Sequence, residues 1–92
     1  MAGIEDSARP RLARHVRMRF DATRGRHVLL SPEAVLVIND TGAAIVDLCD
    51  GERTVADIES ELERRYDDVA DGDVRSFLAD LVAKHGMEVT HG

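Results

Sequence analysis

The chain has 92 residues, of which 43% are hydrophobic and 33% charged, enough for one small domain and too few for a second core. Three aromatic residues (Phe20, Tyr66, Phe77), no tryptophan and a single cysteine, Cys49, exclude a stacking platform for single-stranded nucleic acid, a disulfide framework and a multi-cysteine metal site. The formal net charge of −6 is unevenly spread: residues 1–27 hold seven arginines against three acids, a balance of +4, and the remainder carries −10.

In chain order, residues 1–9 read as a flexible leader ahead of a single domain over residues 10–90; mixed charge and absent periodicity continue to residue 11. Residues 15–20 then alternate, with Val16, Met18 and Phe20 on one face and Arg17 and Arg19 on the other, which predicts a half-buried strand. Asp21 to Gly25 is a turn, residues 27–30 a returning strand, and Ser31-Pro32 a break, because proline cannot donate to a ladder. A third short strand is predicted over residues 34–38.

Beyond it the apolar period changes from two to 3.6. Asn39 or Asp40 caps a helix running to Cys49, with Ala44, Ile45 and Leu48 inward and Asp50-Gly51 as its stop. Thr54 and Asp57 have capping-box spacing for a second helix that buries Val55, Ile58 and Leu62. Its other side, including Glu59 and Glu61, reads as a solvated charge face. A third helix opens at Asp71 or Asp73, carries Val74, Phe77, Leu78, Leu81 and Val82 at helical spacing, and closes at Gly86. Residues 87–89 predict a brief extended segment. The fold class expected is α+β and winged-helix-like: a three-stranded antiparallel sheet followed by a three-helix bundle.

No catalytic constellation accompanies these elements. His15, His27, His85 and His91 lack metal-ligand spacing, His15 and His27 reading instead as cross-strand neighbours; Cys49 sits beside Leu48 on an apolar helix; the glycines form no phosphate loop. No enzyme activity, cofactor or metal is expected. The helix-turn-helix spacing raises a winged-helix DNA-binding regulator as an alternative, but where a reader needs basic and amide side chains the third helix offers Asp71, Asp73, Arg75, Ser76, Asp80 and Lys84, with the acids near its start repelling phosphate. An adaptor or dimerisation domain of another enzyme is a further alternative. No apolar run approaches the roughly 20 residues of a membrane span, the opening MAGIEDSARP carries acids where a signal peptide is apolar, and a lone thiol suits a reducing cytoplasm. A cytoplasmic protein without nucleic-acid or membrane partners is therefore expected.

An interaction module fits better. The strand over residues 34–38 reads as a sheet edge, whose unpaired N–H and C=O groups can accept an extended peptide. The third helix has an apolar stripe wide enough to wall a groove beside it. In the strand one parity faces the helices, either Leu36 and Ile38 or Val35 and Val37; Leu36 and Ile38 are assigned to the core, and Leu78 and Val82 likewise in the third helix. Arg17, Arg19, Arg24 and Arg26 would offer a contact for an acidic patch on a partner.

The strings LLSPEAVLVIND, TGAAIVDLCDGERTVADIESELERRY and DVRSFLADL together resemble the PqqD family over residues 10–89. That resemblance implies a peptide-recognition element of pyrroloquinoline quinone (PQQ) biosynthesis with a winged-helix-like fold. Such domains bind the precursor peptide PqqA and present it to PqqE, a radical S-adenosylmethionine enzyme that joins a glutamate to a tyrosine; some are fused to the oxidase PqqC. In the wider class of recognition elements for ribosomally made, modified peptides, the leader peptide pairs with the third strand and packs on the third helix. The corresponding positions here are Ala34, Val35, Leu36 and Val37, with Val74, Phe77, Leu78 and Leu81. The acids at 67–73 fall in a loop expected to vary.

Overall fold

A computed structural model describes residues 4–66 and 71–91. Its elements run β1 (Ala8–Leu12), β2 (Arg17–Asp21), β3 (Arg26–Leu30), β4 (Val35–Ile38), α1 (Asp40–Leu48), α2 (Val55–Arg65), α3 (Asp71–Ala83) and β5 (Met87–His91). The expected three-stranded antiparallel sheet is present in the order β2-β3-β4, with β2 and β4 as its edges. The three helices follow, and the class is α+β as expected.

Turn and cap chemistry set the element boundaries. Asp21 Oδ1 accepts from the N–H groups of Thr23 and Arg24, and Gly25 takes φ 67° to bring the chain back into β3. Asn39, rather than Asp40, caps α1: its side chain accepts from the Gly42 N–H at 2.7 Å. The capping box of α2 is complete, Thr54 Oγ1 accepting from Asp57 N–H and Asp57 Oδ2 from Thr54 N–H. Between α1 and α2 the N–H groups of Arg53 and Glu52 donate to Asp50 at 2.9 Å each and hold its carboxyl below the ordinary range.

The N-terminal segment departs from expectation. Instead of a loose leader through residue 11, Ala8–Leu12 forms β1 and pairs antiparallel with β5, from Ala8 opposite His91 to Leu12 opposite Met87. Ala8 and Pro10 are fully buried, and β1 is also tied to the α1–α2 link by Gly51 N–H donating to Pro10 C=O at 2.9 Å. Residues 1–3 of the proposed leader, and Asp67 and Asp68 of the variable loop, lie outside the described residues.

A second departure concerns the charge face of α2. Glu59 does not stand in solvent. It receives Nε and Nη2 of Arg75 from α3 at 3.1 Å each, while Arg75 Nη1 donates to the Ile4 carbonyl at 2.8 Å and the same guanidinium pairs with Asp6. One arginine thus joins α2, α3 and the N-terminal segment, in the forked geometry that suits guanidinium and carboxylate. The core packs Ile45, Val55, Ile58, Leu62, Val74, Leu78 and Leu81 together with Leu29 and Ile38 of the sheet. Burial of those aliphatic side chains, at about 1.5–3 kcal/mol each, holds the helices on one face of the sheet.

Candidate functional site

Alternation fixes which side of the sheet each strand residue serves. Register pairs Met18, Leu29 and Leu36 across the sheet, and Phe20, His27 and Ile38 beside them; Leu29 and Ile38 join the core, so this parity faces the helices. The assignment of Leu36 and Ile38 to the inner face agrees. Val35 and Val37 lie on the outer face, 55% and 43% exposed. With Val28 and Leu30 they form an apolar strip bordered by Arg17, Arg19 and Arg26 through the same register.

The free edge of β4 follows from the hydrogen-bond phase. Ser31 N–H donates to Ala34 C=O at 3.0 Å, and hydrogen-bonded pairs in an antiparallel ladder alternate. Leu29 with Leu36 and His27 with Ile38 are therefore the bonded pairs. Val35 and Val37 consequently turn their own N–H and C=O groups away from β3, toward the open edge. The edge offers two donors and two acceptors to an incoming strand.

Beside that edge lies a groove, walled by β4 on one side and α3 on the other. Its middle is lined by Leu36, Ile38, Phe77 and Leu81; one end is bordered by His15, Ala34, Lys84 and His85, the other by Asn39, Gly42, Ser76 and Asp80. Gly42 fits here because a Cβ would meet the Phe77 ring at 3.0 Å. β2 is also an edge; the hollow beside it is lined by strand and turn residues, Arg19, Phe20, Ala22 and Arg24 among them.

The residues anticipated for peptide binding therefore separate. Leu36, Phe77 and Leu81 line the groove, Ala34 borders its end, and Val35 and Val37 present main-chain groups along it. Val74 and Leu78, 1% and 0% exposed, are core residues beneath it. Leu81 is also 2% exposed, whereas Val82, assigned to the core, is half-buried. Of the arginines, Arg24 pairs with Asp21 in the turn, while Arg17, Arg19 and Arg26 lie on the outer face. His15 and His27 are not neighbours, since β2 begins at Arg17 and His27 faces Phe20; His15 belongs to the groove end.

The close of α3 also differs from expectation. Gly86 N–H donates to Leu81 C=O and His85 N–H to Val82 C=O, a Schellman motif. The left-handed residue is His85, with φ 62°, and not Gly86.

The one thiol offers no reactivity. Cys49 is buried at the end of α1, its Sγ donates to the Ile45 carbonyl at 3.1 Å, and burial pushes its pKa up to about 12, with Asp50 adding to the shift. Among the described residues no group of histidine, cysteine and carboxylate side chains could hold a metal ion, and no helix is long and apolar enough to cross a membrane.

Comparison with known proteins gives relatives along nearly the whole chain. A protein of Rhodopseudomonas palustris (strain BisB5) named PqqA binding protein is 43% identical over 84 residues, covering 88% of this chain and 82% of that protein. The bifunctional coenzyme PQQ synthesis protein C/D of Methylorubrum extorquens is 40% identical over 82 residues, which is 86% of this chain and 22% of the longer protein. The solution NMR structure of the PqqD truncation of Methylobacterium extorquens PqqCD, described as a functional and stand-alone recognition element for ribosomally synthesized and post-translationally modified peptides, superposes with a TM-score of 0.74 at 37% identity, covering 92% of this chain and 94% of that one. Residues 26–85 match the family described as coenzyme PQQ synthesis protein D, and the chain belongs to the PqqD family.

Proposed function

We propose that this protein binds the precursor peptide PqqA by adding it as a strand to the free edge of β4, with alternate peptide side chains entering the groove against α3. It then presents the peptide to the radical S-adenosylmethionine enzyme PqqE for glutamate–tyrosine cross-linking in PQQ biosynthesis. The chain acts by binding and not by catalysis, in the cytoplasm.

The observation that carries this reading is the juxtaposition of an unpaired edge, Val35 and Val37, with an apolar groove, Leu36, Phe77 and Leu81. Main-chain bonds supply affinity that tolerates sequence, and the groove selects side chains and register. Relatives named PqqA binding proteins support the identity of the peptide, and a PqqC/D relative supports the occurrence of fusions with PqqC. The outer-face arginines Arg17, Arg19 and Arg26, with Arg24 at the turn, would meet an acidic patch on the partner enzyme.

An NMR titration with PqqA tests the reading. Amide shifts should concentrate in residues 33–39 and 76–85, with slow exchange of the Val35 and Val37 amides in the complex. Absent binding, or shifts confined to β1 and β5, would refute it.

A further inference from the structure

Most cations beyond residue 27 are already neutralised. Arg53 pairs with Asp50, Arg64 and Arg65 share Glu61, and Arg75 holds Glu59 and Asp6. Lys84 is the exception among the described residues. It makes no ion pair, although Asp80 stands one helical turn before it on α3. It borders both the apolar middle of the groove and the end beside Ala34.

Two imidazoles join it at that end, His15 from the connection between β1 and β2 and His85 from the close of α3. His85 occupies the left-handed position that glycine fills without steric cost. A non-glycine residue there gives up backbone stability, and such strain collects where the side chain is needed. A helix C-terminus favours a lysine through its dipole, which accounts for Lys84 but not for the two histidines. Glu33, exposed on the turn before β4, is the one carboxylate lining this end; Asp80 lines the middle and the other end.

From these observations we infer that Lys84, with His15 and His85, selects a carboxylate side chain on the bound peptide. This rests on the peptide-binding reading above. Ala34 shares its parity with Leu36 and Ile38, so a peptide residue opposite Ala34 points to the same side as the residues filling the groove. Ala34 is small and leaves the space open. The peptide recognised is therefore an extended segment with apolar side chains two residues apart and an aspartate or glutamate two residues further on the same face. The apolar pair fills the middle of the groove, and the acid sets register.

Calorimetric titration of the full chain with PqqA, and with PqqA variants in which each acid is changed singly to its amide, tests this. Lys84→Gln should weaken binding about 3- to 10-fold and Lys84→Arg should largely restore it. One amide variant should weaken binding to the wild type by a similar factor yet change binding to Lys84→Gln less than about twofold, the coupling expected of residues in contact. His85→Gly, easier for the backbone, should nonetheless bind more weakly. Wild-type affinity in Lys84→Gln, or additive losses for every acid, overturns the inference while leaving the peptide site in place. No binding of PqqA to the wild type overturns both.

Discussion

Replacing Val37 with proline removes one N–H from the free edge of β4 and leaves the β3–β4 ladder whole. Val37 and Val28 form a non-bonded pair, so the deleted donor has no partner within the sheet, and edge strands tolerate proline where the N–H faces outward. In the complex, the peptide carbonyl that would accept this hydrogen is left unsatisfied at a partly dried interface. Such a group costs about 1–3 kcal/mol, a loss of affinity of about 5- to 150-fold, before any clash of the ring with the incoming strand. Binding of PqqA by calorimetry, beside circular dichroism and an amide correlation spectrum, gives the measurement. Val37→Ala keeps the donor and changes an outer-face side chain, and should bind within about threefold of the wild type. Leu36→Pro removes an inward donor that β3 uses, and should cost the fold itself. A folded Val37→Pro protein that binds PqqA as well as the wild type would remove strand addition from the account.

Arg75→Ala should lower the free energy of unfolding by about 1–2 kcal/mol in urea titration, since it removes the forked pair of bonds to Glu59 and the bond to the Ile4 carbonyl; a change within about 0.5 kcal/mol would make the clasp mere surface. Gly42→Ala should leave stability within about 1 kcal/mol, helix propensity offsetting crowding, yet weaken PqqA binding by displacing the Phe77 ring, a shift visible in the aromatic NMR signals. Cys49 should resist alkylation in the native state at about pH 8 and react at the rate of unfolding. Its folded pKa is raised from 9.0 to about 12, so its contribution to stability is whole below pH 9.0 and is lost as pH rises toward 12; Cys49→Ala should flatten the alkaline limb of a stability–pH profile. His85→Gly should raise stability by about 1 kcal/mol, measured by thermal unfolding.

Local chemistry makes much of this molecule legible in its sequence. The parity of β4, four aliphatic residues in a row, is settled only by its packing against the helices, whereas the capping box at Thr54 and Asp57 and the turn at Asp21 depend on residues close in sequence. β1 was not legible for the opposite reason. Its buried residues, Ala8 and Pro10, alternate with Arg9 and Arg11, but one is small, the other is a poor strand former, and their partners lie some eighty positions away. The Arg75 clasp has the same origin, joining three segments that no short-range pattern links. In α3 the helical stripe was visible as a whole, but its division was not. Val74 and Leu78 differ from Phe77 by about one turn or less, and only the position of β4 decides which of them meets the groove. His85 carried no signal, because glycine one residue later is the expected helix terminator.

The β1–β5 ladder has a kinetic consequence. Pairing Ala8 with His91 closes a loop of nearly the whole chain, whereas the β2–β3 hairpin closes only a few residues. Even at its nearest pair, Leu12 with Met87, the ladder closes about fifteen times the length closed by Asp21 and Arg26, which costs roughly 2.4 kcal/mol more entropy, so the terminal ladder belongs late in folding, after the sheet that presents the edge has formed. A circular permutant that links the two ends and opens the Thr23–Gly25 turn would make that ladder a local hairpin and split β2 from β3. Its folding rate, compared with the native order, would report which of the two sheets nucleates the domain.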